Sequence, residues 1–236
     1  MKAMIAAVRM LVTAICQDRL LVLIASAPLL AMLFFRFGLP LADQQLELYF
    51  HQSLSPYYLV FDLVLAVLPS FMNCFIAAMV ILTERDDHTM IYYLITPLGR
   101  LGYLISRLVF PAMLSIPETL LILLIGNISG LSVIQAFSAS ILAAMMSILL
   151  TLLIVVYSRN KVEGMAVAKL SGMLLVGLFV PFFIHDQFAY IFSILPSYWL
   201  ALLFMEQNLL NLIPYCGLLL AAYRWLYRRF SRQFSE

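Results

Sequence analysis

Charge is scarce in this sequence: only 11% of its 236 residues are charged, while 64% are hydrophobic. A soluble domain has too little interior to hide that much apolar surface. With a mean hydropathy of +1.02, the length suits about six membrane spans joined by short connections. Cysteine is nearly absent. Cys16, Cys74 and Cys216 fall in or near apolar runs without metal-type spacing, so they read as small packing residues and not as a disulfide framework. The three histidines, His51, His88 and His185, stand alone, which excludes the paired spacing of a zinc site. No G-x-x-x-x-G-K-[ST] stretch is present to cradle a nucleotide phosphate. No serine lies in a G-x-S-x-G elbow. Polar groups suited to intramembrane catalysis are few, so catalytic, cofactor-binding and metal residues are all expected to be absent. The N-terminus makes a poor signal peptide, because Lys2, Arg9 and Arg19 are spread out and the first long apolar run starts only at Leu20.

What is present is a series of apolar runs, which define an all-α, polytopic membrane protein forming a single transmembrane domain over residues 1–236. Residues 1–19 carry too many polar groups to cross a membrane. Met4, Ala7, Val8, Leu11, Val12 and Ile15 nevertheless recur at helical spacing, which predicts an amphipathic helix lying in the interface. Six spans are expected at about 20–37, 58–82, 104–125, 131–157, 165–184 and 209–226. Gly38 and Pro40 end the first, and a polar loop follows. Residues 185–208 form an aromatic, amphipathic outer segment broken by Pro196. With the N-terminus in the cytoplasm, every one of the 14 lysines and arginines except Arg36 falls on the cytoplasmic side. The positive-inside rule therefore places both termini there.

The longest polar interruption on that side is the stretch from Thr83 to Arg107. Thr83 and Asp86 fit a capping pattern. Glu84, Asp86 and Asp87 crowd what would be a first helical turn, where the dipole favours acids. Met90, Ile91, Leu94 and Ile95 supply an apolar face, and Pro97 disfavours helix at Thr96. A helix over 84–95 would be roughly 18 Å long, too short to span and too apolar on one face to sit free in water. It is expected to dock on lipid, on the spans or on a partner. Inside the spans, Asn73 and Glu118 are the polar residues nearest membrane depth, and such groups are functional candidates by default. For Asn73 a helix–helix hydrogen bond is a better reading than a ligand, and for Glu118 a structural or solvated position behind the Pro117 kink is as open as substrate contact.

Glu84-Arg85-Asp86-Asp87-His88-Thr89-Met90, followed by Tyr93-Leu94-Ile95-Thr96-Pro97-Leu98 and Arg100, resembles the cytoplasmic stretch after span two of type-2 ABC exporter permeases. The usual run there is close to E-R-E-x-G-T-L, then L-L-x-T-P-L-S-R. This chain has His88 where glycine is usual and Gly99 where serine is usual. Asn160-Lys161-Val162-Glu163-Gly164 and Leu195-Pro196-Ser197-Tyr198-Trp199 also look like the family, in order along the chain.

The resemblance implies a permease that pairs with a second copy, identical or different. ATP and Mg would be held on a separate cytosolic ABC ATPase and not on this chain. It implies that 84–95 is the coupling helix, with Glu84, Arg85, Asp86, Asp87, Met90, Ile91, Tyr92, Tyr93 and Leu94 as partner contacts. It further implies that 1–19 is the connecting helix and 185–208 a re-entrant segment. Phe71, Asn73, Phe75, Glu118 and Phe179 become pathway candidates. The expected partners are the ATPase, the second permease copy and the bilayer of a bacterial inner membrane, with no nucleic acid. The leucine, phenylalanine and methionine content favours export of an amphipathic or lipophilic cargo such as a drug, a peptide antibiotic or a lipid. The alternative is a non-transporting assembly or sensor subunit that binds a cytosolic partner through the same stretch.

Overall fold

The computed structural model describes residues 2–89, 99–184 and 187–233. These are helical almost throughout, with no strand among the described residues. Helix α1 (Lys2–Gln17) precedes α2 (Arg19–Leu33), which passes through a π turn at Phe34–Gly38 into α3 (Leu39–Phe50). Helix α4 (Tyr58–Asp86) is followed by α5 (Gly99–Leu104), a second π turn at Ile105–Val109 and α6 (Phe110–Gly126). Helix α7 covers Val133–Tyr157 and α8 Lys161–Ser171; a 3-10 stretch at Gly172–Leu178 and the short α9 (Val180–Phe183) follow. After a 3-10 stretch at Gln187–Ile194 come α10 (Pro196–Glu206) and α11 (Leu212–Gln233).

Among the described residues, five helical runs are long and apolar enough to cross a membrane: Arg19–Phe50, Ser55–Asp86, Gly102–Gly126, Val133–Tyr157 and Leu209–Phe230. Two of them form the centre. The most apolar windows of α4 and α7 are 72% and 78% buried, against 17% for the first and last runs. This makes α4 the hub, with α2, α6, α7 and α8 packed around it. Local signals set the helix starts. Asp18 caps α2 through Leu20 N–H (3.0 Å), Asn160 caps α8 through Glu163 N–H (2.9 Å), and Ser132 with Gln135 makes a reciprocal capping box on α7.

Three expectations need correction. First, the first run does not stop at Phe37. It continues to Phe50, because the π turn at Phe34–Gly38 loosens the backbone just before Pro40, whose ring and missing N–H would disrupt a regular turn. At 32 residues this run is about 48 Å long against a hydrocarbon core of about 30 Å, so its end with Asp43 and Glu47 stands beyond the membrane. Second, the expected span at 165–184 is not one helix. Its α-helical part begins at Lys161 and gives way to 3-10 geometry at Gly172. Gly177 explains the tight path: a Cβ there would lie 2.4 Å from Ser197 Oγ and 2.8 Å from Tyr198 N, so the N-terminus of α10 packs directly on its backbone. Third, no new helix starts at Glu84. The Thr83 hydroxyl donates to Met79 O (2.9 Å), as inside a helix, and α4 runs on to Asp86. Its end is closed by His88 at φ 55°, the left-handed conformation for which glycine is the usual residue.

The basic residues gather at one end of the bundle. Arg85 donates to Ser158 O, Arg107 to Ala7 O and Lys161 to Asp18, while Arg229 lies over the rings of Trp225 and Tyr157. Arg36 sits at the opposite end, donating to Asn127 O (3.1 Å).

Candidate functional site

Helix α4 carries Asp62, Asn73 and Glu84, spaced eleven residues apart in a mostly apolar run. Eleven residues make just over three turns, so the three fall on one face. That face meets the antiparallel run from α5 through the π turn to α6 and the turn that follows it, and each polar residue finds its partner there, giving a ladder of three rungs.

The outer rung closes the α6–α7 connection. The Asp62 carboxylate, fully buried, accepts from Ile128 N–H (3.1 Å), Ser129 N–H (2.8 Å) and the Ser129 hydroxyl (2.5 Å). Asn127 finishes the turn by accepting from Gly130 and Leu131 N–H. The middle rung is Asn73 Nδ2 donating to Glu118 Oε2 at 2.7 Å. It is flanked by Ser70 donating to Ser115 (3.0 Å) and Thr119 donating to Ala66 O (3.4 Å).

The inner rung is an ion pair taken almost completely out of solvent. Glu84 is 8% exposed and Arg107 1%. Arg107 Nε and Nη2 both donate to Glu84 Oε1, at 3.0 and 2.5 Å, and Tyr103 Oη donates to Oε2 at 2.8 Å. Arg107 Nη1 turns away to Ala7 O at 2.8 Å and so ties α1 to the rung. A buried pair is tolerable only when its remaining donors and acceptors are also satisfied, and here Tyr103 and Ala7 do so.

The next two residues tie down the rest of this end. Arg85 donates to Val155 O (3.3 Å) and Ser158 O (2.8 Å), which closes the C-terminus of α7. Asp86 accepts from Lys161 N–H (3.0 Å) at the N-terminus of α8, where the helix dipole favours an acid. Lys161 Nζ in turn holds Asp18 at 3.1 Å, and this hydrogen bond, opposed by partial burial, keeps the Asp18 carboxyl below its ordinary value. Glu84-Arg85-Asp86 therefore joins α1, α4, α6, α7 and α8 within one helical turn. Beside it, between α1, α4 and α8, opens a polar cavity of about 530 Å³.

Glu84, Arg85 and Asp86 were expected on a surface helix facing a partner; Glu84 and Arg85 instead point into the bundle's own seams and are occupied there, while Asp86 is exposed and accepts from Lys161 N–H. Asp87 is exposed. Met90, Ile91, Tyr92, Tyr93 and Leu94 lie outside the described residues. Of the pathway candidates, Asn73 and Glu118 come together. Phe71 and Phe75 share a different face of α4, where they line a cleft of about 300 Å³ with Ile24, Lys169 and Gly172. Phe179 stands apart, 39% exposed and seven residues on from Gly172, about 14 Å along 3-10 geometry. Sequence reading missed Asp62, Tyr103, Arg107 as an ion-pair partner, and Ser129. The eleven-residue spacing on α4 was the available signal.

A helical bundle of long apolar runs, with the ionic contacts of its described residues at seams and ends, defines an all-α multi-pass membrane protein. Residues 12–228 match the family described as fluoroquinolones export permease protein Rv2686c-like, and the chain belongs to that family. This agrees with the type-2 ABC exporter permeases that its cytoplasmic motif resembles. Two relatives from Mycobacterium tuberculosis are the fluoroquinolones export permease proteins MT2760 (strain CDC 1551 / Oshkosh) and Rv2686c (strain ATCC 25618 / H37Rv). Each is 27% identical over 191 residues, covering 78% of this chain and 75% of the relative. No solved structure matches the chain. The bacterial relatives and the apolar runs identify a multi-pass protein of the bacterial inner membrane.

Proposed function

We propose that this chain is the membrane half of an ATP-driven exporter, paired with a second permease copy and powered by a separate cytosolic ABC ATPase. The observation that carries this reading is the inner rung. The segment that follows Asp86 leaves α4 where α1, α4, the π turn that opens α6, α7 and α8 are hydrogen-bonded together. A push delivered to that segment is passed to all five helical elements at once through short polar contacts, buried at the Glu84–Arg107 pair and partly or fully exposed at Arg85 and Asp86. This favours a rigid-body rearrangement of the bundle over local bending. In this mechanism Glu84, Arg85 and Asp86 transmit force inside the permease. Asp87, Met90, Ile91, Tyr92, Tyr93 and Leu94 are assigned to the contact with the ATPase. The cargo is an amphipathic or lipophilic molecule, and the names of the two relatives make a fluoroquinolone the first compound to assay.

The test is purification of the tagged chain from its native membrane in mild detergent. A stoichiometric cytosolic protein with a Walker A motif should accompany it, and be lost from the Tyr92→Ala/Tyr93→Ala and Asp87→Lys variants while membrane insertion persists. Asp86→Lys is not a clean probe, since it also removes the acceptor of Lys161 N–H. If no ATPase accompanies the chain with or without trapped nucleotide, the reading falls and a non-transporting membrane subunit takes its place.

A further inference from the structure

The three rungs of the α4–α6 ladder are not equally complete. Asp62 accepts four hydrogen bonds, and Glu84 is bound on both oxygens. Glu118 receives one, from Asn73 Nδ2 to Oε2. Among the described residues nothing donates to Glu118 Oε1 or to Asn73 Oδ1. Asn73 must present its amide NH2 to the carboxylate, so its own carbonyl oxygen is directed away from it.

Position makes this incompleteness costly. Glu118 lies eight residues before the outer end of α6 at Gly126 and eleven after Arg107, about 12 Å and 16 Å at the helical rise. It is therefore well inside the hydrocarbon layer, and partly exposed at the bundle surface. A carboxylate in this position cannot face lipid without penalty. Its helix face, however, also carries Leu114, Leu121 and Ile125, which are 48%, 59% and 56% exposed. The i, i+4, i+7, i+11 spacing gives an apolar strip with one acid set in it.

We propose that Glu118 and Asn73 form a recognition site for a basic amine on the cargo, with the cargo's apolar body lying along Leu114, Leu121 and Ile125. Glu118 Oε1 and Asn73 Oδ1 are two oxygen acceptors separated by their own hydrogen bond. They suit the N–H donors of one ammonium group and are too few for a calcium or magnesium ion, which needs about six oxygens. The site rests on the permease reading and narrows it, from amphipathic molecules in general to cationic ones.

The experiment uses the full chain in phosphatidylcholine nanodiscs and two dansyl probes of equal length. One ends in a primary 5-aminopentyl group and the other in a neutral 3-acetamidopropyl group. Binding is followed by fluorescence anisotropy. The wild type is expected to prefer the amine probe. Glu118→Gln, which keeps the size of the side chain, is expected to weaken amine binding about tenfold or more, the worth of a charge-assisted hydrogen bond, with neutral binding changed less than twofold. Glu118→Asp should retain the preference. Equal binding of both probes by the wild type, equal losses for both in Glu118→Gln, or unchanged amine binding in that variant would each overturn the site and leave the permease reading standing. If the wild type binds neither probe and its ATPase-containing membrane vesicles accumulate neither on addition of ATP, both fall together.

Discussion

Replacing Arg107 by methionine tests the inner rung most directly. The change keeps the length of the side chain and removes its charge. It takes from Glu84 three N–H···O contacts, at 3.0, 3.1 and 2.5 Å, and from Ala7 O the Nη1 donor of Arg107. The carboxylate left behind is 8% exposed and keeps only the Tyr103 hydroxyl. Stranding one member of a buried pair costs about 3–5 kcal/mol. In a protein of this size, that lowers the melting temperature by roughly 6–20 °C. Glu84→Leu strands the guanidinium and should cost about the same. The double variant Glu84→Leu/Arg107→Met buries no unpaired charge, so its loss should fall well below the sum of the two, with a coupling of about 2–3 kcal/mol. Thermal unfolding in detergent, followed by intrinsic fluorescence, measures all four corners of the cycle. A second readout separates the Ala7 link from the pair itself. Ala7 is 3% exposed, and a cysteine at that position in a background lacking the other cysteines should resist maleimide while Arg107 is present and react once it is methionine. An additive cycle, or an Arg107→Met variant as stable as the wild type, would refute the claim that the pair is buried and mutual.

Three further outcomes are expected. His88→Gly should stabilise the chain by about 1 kcal/mol in the same unfolding assay, because His88 holds φ 55° and left-handed backbone costs a non-glycine residue about 1–2 kcal/mol; no gain would mean that its side chain has a compensating role. Gly177→Ala should destabilise by about 1–3 kcal/mol, since the new methyl would meet the Tyr198 backbone nitrogen 2.8 Å away; a neutral result would show that α10 can slide. The Asp18–Lys161 pair should show a pH signature. Asp18 is held below its ordinary 3.8 by the Lys161 hydrogen bond, so its contribution is complete above that value and fades as the pH falls through the depressed one. Lys161→Ala should therefore cost less than about 1 kcal/mol at neutral pH and nothing in acid below the folded value, as read from melting curves across that range. A cost that grows on acidification would reverse the assignment.

Some of this protein was open to reading from its residues alone. Apolar runs of span length, with lysine and arginine at their ends, require helices in a membrane, because each backbone N–H and C=O must be satisfied within its own segment. Helices α4, α6, α7 and α11 lie on four of these runs. Prolines and glycines misled the boundaries. Pro40 reads as a stop, yet a π turn carries the helix past it to Phe50, and the break that matters lies at Gly172 inside what reads as one span. Local rules carry no information about whether a neighbouring helix presses on a glycine.

The chemistry of the seam was legible only in part. Asp62, Asn73 and Glu84 announce a shared face by their spacing, since helical geometry depends on sequence position alone. Which acid is paired and which is left with an open oxygen depends on what α6 places opposite, and that is a tertiary fact. Glu84-Arg85-Asp86 shows the difference most plainly. By composition these residues form a charged, solvated turn ready for a partner. In the folded chain Arg107, Ser158 and Lys161 reach them first, and the same charges become the point at which five helices are held together.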